Sequence, residues 1–235
     1  LPRHFRRQRQ MCIRDSPYDS YAELLLKLGR HDESITQYRK ALDKNPNFVI
    51  SFTGIATNYD LQGNGEAARK ELKRLLDSAK NDGQRRTAHF ATAISHVYEG
   101  DMDKAIGAIK TSHALAEAIN DAAAMSGDHT TIGNILLEAG KPEDALKAYK
   151  KSLQLIVDSD LSKRNKENAE LQFVFQNSMV AAKMGELEKA QEKAEQFLKG
   201  AQELQNPFTI RQAHMAMGVV ALKAKKYDAA IEHLK

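Results

Sequence analysis

The segment YAELLLKLGRHDESITQYRKALDKNPNF, Tyr21–Phe48, decides the fold, because the pattern at its centre recurs along the chain. That pattern, GRHDES from Gly29, is a glycine, a short polar turn with acids, then a small residue and an amphipathic run. It returns as GNGEAA at Gly63, GDMDKA at Gly100, GKPEDA at Gly140, GELEKA at Gly185 and KKYDAA at Lys225. The spacings are 34, 37, 40, 45 and 40 residues. A period in this range is the mark of a repeat architecture, in which each unit buries its apolar face on the next.

Each unit reads as a helical hairpin. A glycine after an apolar-periodic run supplies the left-handed residue that ends a helix. The Asp or Glu that follows is expected to cap the next helix and to complement the positive end of its dipole. Pro142 fits the first turn of its helix, where a missing N–H is no loss. Apolar residues recur at helical spacing before the turn (Ile55, Tyr59; Ile132, Leu136) and after it (Ala145, Tyr149, Leu153). Strand-like alternation is absent, so the expected fold class is all-α, an α-solenoid of antiparallel helix pairs in about six repeats.

On these residues the chain resembles the tetratricopeptide repeat. Ala22 and Ser34 stand at its small positions, and Tyr38, Ala41 and Pro46 match its large aromatic, small residue and terminating proline. With the turn glycine counted as position 15, position 8 also reads Ala56, Ala93, Gly133, Ser178 and Gly218. Position 20 reads Ala68, Ala105, Ala145, Ala190 and Ala230. Small residues there let the two helices of a pair cross closely. The resemblance covers residues 17–235 and implies a right-handed superhelix whose first helices line a concave groove. There are departures: position 4 carries His89, His129 and His214, and the longer spacings imply longer helices or extra loop near 157–170.

Charge is unevenly placed. Residues 1–16 hold Arg3, Arg6, Arg7, Arg9 and Arg14 against Asp15; removing these from 35 basic and 31 acidic residues leaves 30 of each. The single cysteine, Cys12, lies in the same segment. Its RQRQMCIRDS resembles translated sequencing-adapter read-through, so residues 1–16 are expected to be non-native and unpacked. Residues 17–235 are expected to form the repeat domain, cut within its last unit. That domain is neutral and cysteine-free, and the longest apolar run, at about Ala216–Leu222, is far below the roughly 18–20 residues that span a bilayer. No membrane span is expected; a soluble protein of the cytoplasm or periplasm fits.

The groove is the candidate site. Positions 2, 5, 9 and 12 of the first helices would face it, which gives Thr53, Thr57, Phe90, Ile94 and Val97 in the second and third units. The fourth to sixth units give Thr130, Asn134, Leu137, Phe175, Met179, Met215 and Val219. Ile50, Asp60, Ala182 and Leu222 share those positions. Adaptable Met and Phe side chains suit an apolar helix or extended peptide laid in a groove. Self-packing of the same side chains is the competing reading, since large exposed apolar patches are uncommon.

Other motifs carry less. Some tetratricopeptide proteins clamp a chaperone C-terminal carboxylate with Lys, Asn and Arg, but the matching positions here are Asp19, Glu23, Gly54, Thr87 and Ala91. None can clamp a carboxylate, and two would repel it. His89 and His96 share a helical face, yet one pair is short of the three or four ligands of a zinc site. DSDLSKRNKENAE, from Asp158, begins like a calcium loop but has Lys163 for the turn glycine and Ala169 for the bidentate acid, and reads as a solvated linker. GNGEAARK has no preceding strand and lacks phosphate-loop spacing. No catalytic residue, metal or cofactor is expected. A protein-interaction scaffold with a protein or peptide partner leads, ahead of a docking or regulatory domain of a larger enzyme. A helical-repeat RNA binder comes last, because the repeats lack a basic stripe and no nucleic acid is expected as partner.

Overall fold

The computed structural model describes residues 17–234, and the expectation for residues 1–16 lies outside them. Twelve helices and no strand are found among the described residues. The chain divides into two compact units at Leu115/Ala116, within the last turn of a helix.

The first unit runs through α1 (17–27), α2 (His31–Lys44), α3 (Val49–Leu61), α4 (Gly65–Ser78), α5 (Asp82–Tyr98) and α6 (Met102–Glu117). From α2 to α5 sequential helices pack as neighbours, and α3 also touches α5, so these first helices of successive repeats stand side by side. Ala22, Tyr38, Leu42, Phe52, Ile55 and Leu75 form one buried cluster, and Ala56, Ala68 and Leu72 another.

The second unit runs through α7 (Ala122–Glu138), α8 (Pro142–Val157), α9 (Lys163–Met184), α10 (Leu187–Glu203), α11 (Pro207–Lys223) and α12 (Tyr227–Leu234). Here α9 touches α11 in the same way. Its core is built around Tyr149 and Val180, around Ala190 and Val220, and around Phe197 and Ala213.

The turn chemistry repeats in all six pairs. Gly29, Gly63, Gly100, Gly140 and Gly185 have φ between 71° and 82°, and Lys225 takes the same left-handed region at 60°. After each, an N–H reaches five residues back: Arg30 to Leu25, Asn64 to Tyr59, Asp101 to His96, Lys141 to Leu136, Glu186 to Ala181 and Lys226 to Ala221, all at 2.8–2.9 Å. This is the bond that closes a left-handed helix terminus.

Caps fall differently from the expectation. At the glycine turns only Asn64 and Asp101 accept from the helix with their side chains, from Ala67 and Lys104. Arg30, Lys141 and Glu186 hold the cap position without a side-chain bond. The acids lie one residue or more inside: Asp32, Glu33, Glu143, Asp144 and Glu188 occupy first turns, where they act on the dipole alone. Side-chain caps concentrate instead at the entries to first helices, on Asn81, Asp121, Ser162 and Asn206.

The expected register holds at the crossings. Position 8 is buried in every repeat, and at position 20 Ser34, Ala68, Ala105, Ala145 and Ala190 are wholly inaccessible. A Cβ on Gly133 would fall 2.4 Å from the Tyr149 ring, and one on Gly218 would fall 2.5 Å from Leu234. The longest spacing is met by helix rather than loop. The linker is confined to 158–162, and 163–169, read above as linker, are the opening turns of the 22-residue α9.

Candidate functional site

In the first unit the candidate residues project from α3 and α5. Thr53 donates to the Ile50 carbonyl at 3.0 Å and Thr57 to Thr53 at 3.0 Å, so both hydroxyls are held by their own helix. Their hydroxyl hydrogens are thus engaged, which leaves methyl groups and hydroxyl acceptor sites to offer a partner. Phe90 is 44% exposed, while Thr53, Thr57, Ile94 and Val97 are half-buried. Ile50, Leu61 and Tyr98 extend the open apolar surface. Asp60 departs from the expectation. It is buried, accepts from Ser95 at 2.7 Å, and burial holds its carboxyl above the usual range against the pull of Ser95 and Arg69.

In the second unit the seven candidates separate by role. Thr130 shares a hydrogen bond with Ser152 at 2.8 Å, and Asn134 accepts from the Tyr149 hydroxyl at 2.8 Å. Leu137 packs on the Tyr149 cluster. The Phe175 ring lies 5.3 Å from that of Phe197, and Phe175 and Met179 both pack on buried alanines and Val220. Met215 is 42% exposed and Val219 half-buried. Ala182 is buried, not on an open face. Self-packing therefore accounts for Leu137, Phe175 and Met179 in large part, whereas Phe90 and Met215 stand open.

A polar ladder behind α3 was not foreseen. Asn58, wholly buried, donates to Ser34 and to the Gly54 carbonyl at 2.9 Å each and meets His31 Nδ1 at 2.9 Å; Ser34 in turn donates to the Ala22 carbonyl at 2.7 Å. Farther along, Glu71 is buried and gripped by Arg39 at 2.7 Å and Arg74 at 2.9 Å, with Arg74 lying 5.7 Å over the Phe52 ring. Arg69 bridges Glu99 at 2.8 Å. The one sequence signal for the ladder is an asparagine in the middle of an apolar helix, VISFTGIATNYDL.

The histidines do not converge. Burial lowers His89, and His96 is lowered by burial and then by Arg69. His214 and His233 face each other across α11 and α12 with Nδ1 atoms 3.2 Å apart. Among the described residues no group of three or more His, Cys, Asp or Glu could hold a metal ion, and no helix is long and apolar enough to cross a membrane. A depression of about 540 Å³ lies between Asn120–Asp121 and the 158–162 linker, lined also by Met125, Lys151 and Gln154. None of the twelve candidates lines it.

Helix pairs crossing at small residues, joined by one recurring turn, define an all-α helical-repeat protein. Residues 16–48 match the model of the tetratricopeptide repeat, and the same turn and the same small crossing residues recur through the later pairs. Among solved structures it is similar to a Rap protein complexed with competence and sporulation factor, at 16% identity and a TM-score of 0.63, covering 92% of this chain and 61% of that one. It is similar to BtubC (BKLC) from P. vanneervenii at 16% identity and 0.58, covering 87% and 85%. It is also similar to pilF of Pseudomonas aeruginosa at 19% identity and 0.51, covering 94% and 90%. At these identities the likeness is one of fold. No curated protein matches the sequence.

Proposed function

We propose that this chain is a non-catalytic interaction scaffold that binds a partner peptide or helix along the first-helix faces of its repeats. The repeat fold supports an interaction role in general. The observation that carries the finer reading is the exposure of Phe90, at 44%, beside Thr53, Thr57, Ile94 and Val97, none of them buried. A large aromatic ring left half in water on a rigid helix, among hydroxyls already bonded, is a preformed apolar anchor point. Binding there would need little rearrangement, so little of the interaction energy would go into ordering the site.

Serine substitution separates open from packed positions. Phe90→Ser and Met215→Ser should alter stability by no more than about 0.5 kcal/mol, the range of surface substitutions. Phe90→Ser should weaken capture of peptides selected on the wild-type protein. Phe175→Ser removes a ring packed on Phe197 and should lower the melting temperature. If Phe90→Ser and Met215→Ser both unfold the protein, these side chains serve the core and the reading fails.

A further inference from the structure

The open face of the first unit changes character along its length. Asp19 and Glu23 on α1 occupy the same repeat positions, 5 and 9, as Thr53 and Thr57 on α3 and as Phe90 and Ile94 on α5. Ala22, between the two acids, shares a buried cluster with Phe52 and Ile55, so α1 and α3 are packed neighbours. Tyr38 joins the acids to α3. A Cβ on Gly54 would fall 2.3 Å from the end of its ring, and the phenol is pushed up to about 12 by burial, then by Asp19 and Glu23.

The two carboxylates are not equally satisfied. Glu23 pairs with Lys27 at 2.9 Å, both side chains being exposed. Asp19 Oδ1 is buried and has no hydrogen-bond partner among the described residues, and burial, followed by Glu23, raises its carboxyl. A shielded carboxylate beside a like charge is complemented by an N–H donor that carries positive charge.

We propose that the first unit takes a partner segment in which a lysine or arginine lies about six residues from apolar side chains. The cation sits at Asp19 and Glu23, and the apolar anchors rest on Phe90 and Ile94. This rests on the groove reading above and adds the chemistry of the partner. Packed helices lie about 8–10 Å apart, so α1 and α5 are separated by roughly 20 Å. An extended chain at about 3.3 Å per residue crosses that in about six residues. A segment with an acidic residue in place of the cation would be rejected by like charge.

The test is a random 12-residue phage-displayed library panned on the full chain, with selected peptides synthesised and titrated by fluorescence anisotropy. Selected peptides should carry Lys or Arg about six residues from an apolar pair. The double variant Asp19→Asn, Glu23→Gln should weaken them at least about tenfold, and replacing the peptide's lysine by norleucine should do the same on unaltered protein. Weakening by Phe90→Ser together with indifference to the double variant and to norleucine would overturn this inference and leave the groove reading standing. Peptides indifferent to Phe90→Ser as well, or no peptide selected, would overturn both. The norleucine arm keeps the test decisive should the double variant fail to fold.

Discussion

The Ser34 hydroxyl donates to the Ala22 carbonyl at 2.7 Å, and four repeats later Ser178 donates to Ala190 at 2.8 Å, with the serine moved to the opposite helix of the pair. Positions 8 and 20 thus meet at the same crossing, and either can hold the one residue whose side chain bonds the other's backbone. The two serines differ in what depends on them. Ser34 also accepts from buried Asn58, while Ser178 is given no such donor. Ser34→Ala should cost about 1–3 kcal/mol by leaving an Asn58 N–H unpaired in the core. Ser178→Ala should cost about 1 kcal/mol or less, since the Ala190 carbonyl belongs to a helix. Urea denaturation of the two variants checks the order.

The crossings predict an overpacking penalty. Ala105 and Ala145 are wholly inaccessible where their helix pairs cross. Replacing either with leucine should destabilise by about 1–3 kcal/mol. Wild-type thermal stability in both variants would show that the crossings are placed wrongly.

Lys225 does a glycine's task. It holds φ at 60° and closes the same backbone bond as the five glycines before it. A side chain in that region costs on the order of 1 kcal/mol. Lys225→Gly should therefore slow amide exchange in α12 and α11, with little change in the first unit.

Two buried carboxylates predict opposite pH responses. At Glu71 burial raises the carboxyl, but Arg39 and Arg74 outweigh it and hold the group below its ordinary range. Its contribution is present above the unfolded carboxylate value and is lost as pH falls through the lower folded one. At Asp60 burial wins and the carboxyl is raised, so stability is gained as pH falls through the folded value. Glu71→Gln should destabilise at pH 7, by about 1–3 kcal/mol for hydrogen bonds to a charge, and the gap to the wild type should narrow as pH falls. Asp60→Asn should match or exceed the wild type at pH 7 and lose that advantage in acid. Melting curves between pH 3 and 7 distinguish the two.

What was legible in the chain was local. The turn glycines, the small residues at positions 8 and 20 and the helix period are set by neighbours within one hairpin, and the structure keeps all of them. The site was half legible. Counting positions placed Phe90 and Met215 on an open face, but it could not see that Asp60 is drawn under by Ser95, 35 residues away. Nor could it see that the Phe197 ring would cover Phe175. The cap expectation held at Asp101 and not at the other acids, because after Gly29 and Gly140 the acids lie inside the first turn and the Glu186 carboxylate pairs with Lys189. The length of α9 was undecided because KRNKENAE is polar enough for loop or helix, and the Ser162 cap settles it by accepting from Asn165 at 3.3 Å.

The central claim is that the first-helix faces are where a partner binds. Hydrogen–deuterium exchange of the full chain with and without a peptide selected from the random library tests it most directly. The account predicts added protection in α3 and α5, across 50–61 and 87–97, with α4 unchanged. Protection confined to α4, or an unchanged exchange pattern at saturating peptide, would contradict it.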